Sequence, residues 1–275
     1  MHERPVAPIF QGKNAGTLPA RQETNLAMSD FNNGFSRPAA ARADMAVDAG
    51  LRSFMLGVYN KLGLGLAIAG ALAWVTGNVP AVSSLLFAVT PQGQLTHTGL
   101  GLIVQFSPLV MLFGAMFFMK NPSPRGANLL YWAVVATIGA GLGVLFMIYT
   151  GASIATTFFV TAAAFGALSL FGYTTKKDMT GWGSFLIMGV IGLIIAMVVN
   201  MFLQSPMMYF VINAIGVLLF SALIAYDTQR LKLTYYALGG QQAAMSVATS
   251  YGALALFINF INLFQFLLAF MGGRE

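Results

Sequence analysis

Of the 275 residues, 57% are hydrophobic and 8% charged, against ~45–50% and ~25% in soluble domains, which excludes a soluble globular chain. The net charge of +6 does not point to nucleic acid, because the cations fall in short loops rather than among exposed aromatics. The lack of cysteine removes disulfides, thiol chemistry and Cys-ligated metals, and with His2 and His97 as the only histidines a multi-histidine metal centre is excluded.

Residues 1–50 read as a disordered N-terminal tail. Charges of both signs are scattered there among Gly, Asn, Ala and Pro, and no apolar period persists. The apolar core of a signal peptide is absent.

The remainder, 51–275, divides at its charges. Uncharged blocks cover 62–119, 126–175, 179–226 and 233–273. Each is about twice the ~20 residues that cross a bilayer, and the first three are expected to be helical hairpins with an uncharged outer turn. Turn signals lie where that demands: Asn78 and Pro80 through Gly93, Thr150–Gly151, and Gln204 through Pro206. The spacing predicts helices near 54–78, 100–119, 128–149, 152–174, 181–203, 207–227 and 246–271. The fold class is therefore all-α integral membrane, with seven spans in the lipid bilayer. The loops with Lys120, with Lys176 and with Arg230 fall on one side, which the positive-inside rule makes cytoplasmic. That puts the N-terminus in the cytoplasm and the C-terminus outside. Lys61, about two turns into the first helix, is expected to snorkel to the cytoplasmic interface. Small residues such as Gly63, Gly70, Gly139, Gly143 and Gly189 supply the close packing that helices in lipid need.

The sixth span ends on Asp227, with Arg230 and Lys232 following within two turns. A carboxylate at membrane depth is costly and marks a functional site by default. Arg230 at i+3 gives a local alternative, an ion pair that closes the helix, and spacing leaves both open. Asn213 stands 14 residues earlier, nearly a whole number of turns, so it faces the same way. In the seventh span Asn259 and Asn262 are i+3 neighbours whose amides need partners that lipid cannot offer. Interhelical hydrogen bonding is the favoured reading of Asn262, and Gln105 and Asn200 read the same way.

No enzyme is legible. A rhomboid-type protease needs an intramembrane histidine, and the spans have none. Tyr226-Asp227 is half of an intramembrane aspartyl-protease pattern, but the seventh span lacks the second aspartate that would share the proton. Phosphate-cradling glycine loops and acidic Ca²⁺ loops are also absent, so no cofactor is expected.

Five segments carry a family resemblance: Val58 to Leu62, Ser107-Pro108-Leu109, Tyr173 to Asp178, Leu219 to Gln229, and Leu256 to Phe264. Together they resemble the Bax inhibitor family, the transmembrane Bax-inhibitor-motif proteins and their YccA-like bacterial branch, over about residues 51–272. The resemblance implies six helices around a central seventh and a cation or Ca²⁺ leak. It also implies a gate of paired sixth- and seventh-helix aspartates, with a basic residue at the end of the second helix as a brake. Asp227 matches the first acid and Lys120 the basic residue, but the second acidic position is Asn259. An aspartate–asparagine pair lacks the coupled titration of two carboxylates. The pH switch is therefore expected to be weakened, and any Ca²⁺ held at Asp227, as permeant or regulatory ion, to bind weakly.

Two functions are implied. One is a cation or Ca²⁺ leak gated near Asp227. The other is a non-conducting regulator that binds a membrane protease or another integral complex. Short loops and the lack of an Asn-x-Ser/Thr acceptor favour a bacterial inner membrane. The depths of the two residues conflict: Asn259 lies about 13 residues into its predicted helix, while Asp227 is near the interface. The two meet only if the seventh helix starts later or the sixth is displaced inward.

Overall fold

The computed structural model describes the backbone of residues 39–273, with side chains from residue 49; most of the 1–50 tail lies outside the described residues. Contacts divide the chain into Met1–Ala49 and Gly50–Glu275, and the helical bundle is the second of these units. In chain order come α1 (Ala39–Asn78), α2 (Pro80–Leu86), β1 (Phe87–Val89), β2 (Leu95–His97), α3 (Gly99–Phe118) and α4 (Pro124–Gly141). A 3₁₀ turn (Leu142–Met147), α5 (Gly151–Thr174), α6 (Trp182–Leu203), α7 (Pro206–Leu238) and α8 (Gln242–Met271) complete it. Seven segments are long and apolar enough to cross a membrane, the third of them being α4 with its 3₁₀ turn.

The helix starts follow from side-chain caps at the turn signals. Thr98, Ser123, Thr150 and Ser205 each accept a hydrogen bond from the backbone N–H three residues on, and Pro124 and Pro206 occupy first-turn positions where no N–H is needed.

The central helix is α8. Half of its apolar window is buried against 11–33% for the other six spans, which identifies it as the element the rest surround. It packs on α7, α4 and α5, while α6 lies against α7 and α3 against α4. Glycine sets the closest approaches. A Cβ on Gly172 of α5 would run into the Ala225 carbonyl of α7, and one on Gly139 of α4 would lie 2.6 Å from the Ala69 Cα of α1.

The ends of the bundle sort as the charge pattern requires. At one end Lys61 meets Asn128 and Ser250, and Lys232 meets Tyr173. At the other the Thr150 N–H donates to the Gly273 carbonyl and the Gly273 N–H to Ser153.

Three expectations need correction. The sixth span does not stop at Asp227: α7 continues for eleven residues to Leu238, so Arg230 and Lys232 lie on the helix rather than in a loop. The seventh begins at Gln242, ahead of the expected 246. The first outer turn holds α2 and an antiparallel hairpin in register Phe87↔His97, so His97 lies in a strand, its ring edge-on to Phe87 at 5.4 Å.

Candidate functional site: a carboxylate–amide pair between α7 and α8

Asp227 and Asn259 touch. The Asn259 Nδ2 donates to the Asp227 Oδ2 at 2.7 Å. The depth mismatch narrows because the carboxylate is an interior residue of α7, about 16 Å from its C-terminal end. Beside the pair lies a cavity of about 290 Å³, lined by Asp227, Arg230 and Thr234 of α7 and by Ala248, Gly252 and Ala255 of α8. The three small residues lie on one face of α8 with Asn259, and Leu231 and Tyr251 complete the lining. Gly252 is the tightest point, since a Cβ there would meet the Leu231 side chain.

Arg230 lines the same cavity and is exposed, and among the described residues it forms no ion pair with Asp227. The hydrogen-bond partner of the carboxylate is the amide on α8, not the arginine one turn away. Lys120 is exposed in the loop after α3 and does not line the cavity.

Asn213 and Asn262 are satisfied within their own helices. The Asn213 Nδ2 donates to the Tyr209 carbonyl and the Asn262 Nδ2 to the Ile258 carbonyl, both at 2.8 Å. Interhelical bonding of Asn262 is thus not observed; the i−4 carbonyl is the nearer acceptor. Asn200 likewise serves its own helix end, accepting from the Ser205 N–H. Asn262 opens instead on a second cavity of about 240 Å³, shared with Gln105, Thr137 and Gln265. About one turn of α8 separates the two cavities, from Ala255 to Ile258.

The charged end also holds a polar network that no single residue announces. The Lys61 Nζ donates to Asn128 Oδ1 at 2.6 Å and to Ser250 Oγ at 2.7 Å, and lies 5.1 Å from the Tyr131 ring centroid. It is half-buried at the charged end, and its contacts tie α1 to α4 and α8. The Tyr59 hydroxyl is 2.5 Å from Ser169 Oγ, which is 3.1 Å from Thr228 Oγ1. Gln229 donates to the Lys177 carbonyl and accepts from the Met179 N–H, both at 2.7 Å, fixing the α5–α6 loop on α7. In that loop the Thr180 hydroxyl and N–H both donate to Asp178, which holds its carboxyl below the usual carboxylate range. Three of the segments that carry the resemblance therefore meet here, around the turn of α7 that bears Asp227. The sequence signal was the run Tyr226-Asp227-Thr228-Gln229, four consecutive polar-tipped residues closing an apolar helix.

Residues 51–275 match the family described as Inhibitor of apoptosis-promoting Bax1. The chain belongs to the Bax inhibitor family. A Caulobacter vibrioides protein is 62% identical over 249 residues, covering 90% of this chain and all of that one. The protein RP147 of Rickettsia prowazekii is 41% identical over 229 residues, 83% of this chain and 92% of its own. The inner membrane protein YbhL of Escherichia coli is 39% identical over 237 residues, 85% and 98% respectively. As a Bax inhibitor family member this chain is an integral membrane protein, and two of the segments that carry the resemblance, Leu219 to Gln229 and Leu256 to Phe264, bear the Asp227–Asn259 pair.

Proposed function

We propose that the chain is a cation leak pathway of the bacterial inner membrane, Ca²⁺ included, gated at Asp227. The observation that carries this is the Asp227 carboxylate inside a membrane helix, bonded to Asn259 and bordered by a cavity that Arg230 and Thr234 also line. A carboxylate there is expensive unless it serves an ion or a proton. With its N–H₂ toward the acid, Asn259 occupies the place where a cation would sit. Admitting one requires the amide to turn over and present Oδ1 beside the carboxylate. Among the described residues no group of three or more His, Cys, Asp or Glu surrounds the pair. A Ca²⁺ ion would draw its remaining oxygens from amides, carbonyls and water, which makes binding weak. The path continues past one turn of α8 into the cavity of Gln105, Asn262 and Gln265. No cofactor and no enzymatic step belong to this reading. It is tested with purified protein in liposomes: Ca²⁺ or monovalent flux is expected, and its absence under all ionic conditions would remove the leak.

Orientation is part of the proposal. With the charged end in the cytoplasm, the N-terminus is inside and the C-terminus outside. The Cys-free sequence makes a clean background for single cysteines. An impermeant thiol reagent applied outside intact cells should label cysteines at Gln105 and Asn262 but spare those at Lys120 and Lys176. Labelling of the latter pair would invert or break the arrangement.

Asn259→Asp places two carboxylates in contact, where they titrate as a coupled pair. Flux of the variant is expected to gain a steep pH dependence and tighter divalent binding that the native protein lacks. A flat pH response with unaltered Ca²⁺ affinity would dissociate this contact from the gate.

A second reading has one observation in its favour: the acid is already satisfied by an amide, as a non-conducting protein would require. In that case the chain regulates a membrane protease or another integral complex by binding it. Wild-type liposomes without flux, together with specific co-purification of such a complex, would select it.

A further inference from the structure

A third cavity is separate from the two beside Asp227 and Asn262. It measures about 370 Å³ and lies between α1, the 3₁₀ turn, α5 and α8, with every lining residue apolar. Its walls are Ala67 and Gly70 on α1, Phe146 on the 3₁₀ turn, Phe158 and Phe159 on α5, and Phe260 on α8. Small residues in membrane helices ordinarily let two helices close on each other. Here they do not. A Cβ on Gly70 would meet nothing within 4 Å, whereas one on Gly139, nearby on α4, would run into α1. At the level of Ala69 and Gly70, α1 therefore closes on α4 and stands off from α5. From Gly151 to Phe159 the groove follows α5 for about 12 Å, starting from the end opposite the charges.

Water has no polar partner in such a space, and a helix of ~10 Å diameter is too wide for it. Left empty, its lining would forfeit dispersion contacts. The groove is continuous with the lipid-facing surface, as the 70% exposure of Phe159 shows. We propose that it binds one acyl chain of a phospholipid from the leaflet opposite the charged end. The bound chain lies against Phe260 and Ile261, the residues of α8 between Asn259 and Asn262.

The test needs no assumption about ion flux. The protein is reconstituted in phosphatidylethanolamine–phosphatidylglycerol vesicles that include a phospholipid with a diazirine at mid-chain. After irradiation, adducts are mapped by peptide mass spectrometry. Adducts are expected to be enriched on residues 142–159 over the lipid-facing surface of α6. They should be lost in Gly70→Phe and Ala67→Phe, whose rings fill the groove. They should persist in Gly63→Phe, which adds the same bulk at a position on α1 with nothing within 4 Å and outside the groove. Should the filling variants misfold, the wild-type map decides alone. Adducts spread evenly over the lipid-facing helices, or kept in the folded Gly70→Phe protein, would overturn the proposal.

Discussion

Asp227→Asn is expected to cut cation flux through reconstituted protein roughly 10–100-fold, the equivalent of losing an interaction with a charged group worth ~1.5–3 kcal/mol. The substitution keeps the shape of the side chain and leaves Asn259 a carbonyl to bond, so the α7–α8 contact is retained while the charge goes. Membrane insertion should be untouched, because the residues of α7 before Asp227 carry no charge and suffice to insert. Lys120→Gln is the informative companion. The resemblance makes Lys120 a brake, but the side chain is exposed and outside the cavity, so flux should stay at the wild-type level. A rise in flux in that variant would restore its role, and unchanged flux in Asp227→Asn would take the gate away from α7.

Gly172→Ala is expected to destabilise the packing of α5 on α7 strongly. The added Cβ is aimed at the Ala225 backbone, two residues from Asp227, and backbone cannot rotate aside as a side chain would. Relief requires α5 and α7 to separate. That strains the Ser169–Thr228 hydrogen bond one turn away and the hold of Gln229 on the α5–α6 loop. Overpacking of this kind costs ~1–3 kcal/mol, at about 2–4 °C per kcal/mol for a domain near this size. The control is Gly166→Ala on the same helix, where the new methyl meets nothing within 4 Å and helix propensity alone favours alanine. Thermal unfolding in detergent should separate the two variants in opposite directions from wild type. Equal midpoints would mean that the α5–α7 approach is not a packing constraint.

The spans were legible because charge is excluded from hydrocarbon, and 62–119 or 126–175 can hardly be anything but hairpins. The end of α7 was not legible, for the same reason inverted. Once a helix leaves the bilayer it can carry Arg230 and Lys232 freely, and a polar helical overhang has the composition of a loop. The early end expected for α7 is what sets Asn259 too deep for Asp227, and the extra eleven residues close most of that gap. The partners of Lys61 were not legible, because Asn128 and Ser250 are 67 and 189 residues away. The outer hairpin of β1 and β2 has three-residue strands, too short to show an alternating pattern. The pairing of Asp227 with Asn259 came from resemblance, since no local spacing links residues 32 apart.

The length of α7 has a mechanical consequence. At 33 residues it is about 50 Å long, and the ~30 Å of hydrocarbon accounts for only part of that. Together with the first turns of α8 it forms a rigid handle that ends in the left-handed glycines Gly239 and Gly240. The Asp227–Asn259 contact lies about 16 Å from that tip. A relative tilt of the two helices by ~4° about the tip shifts the contact by ~1 Å, enough to break a 2.7 Å hydrogen bond. Torque applied at Gly239 and Gly240 is thus carried by stiff helix to the carboxylate, and small angles there become bond rupture at depth.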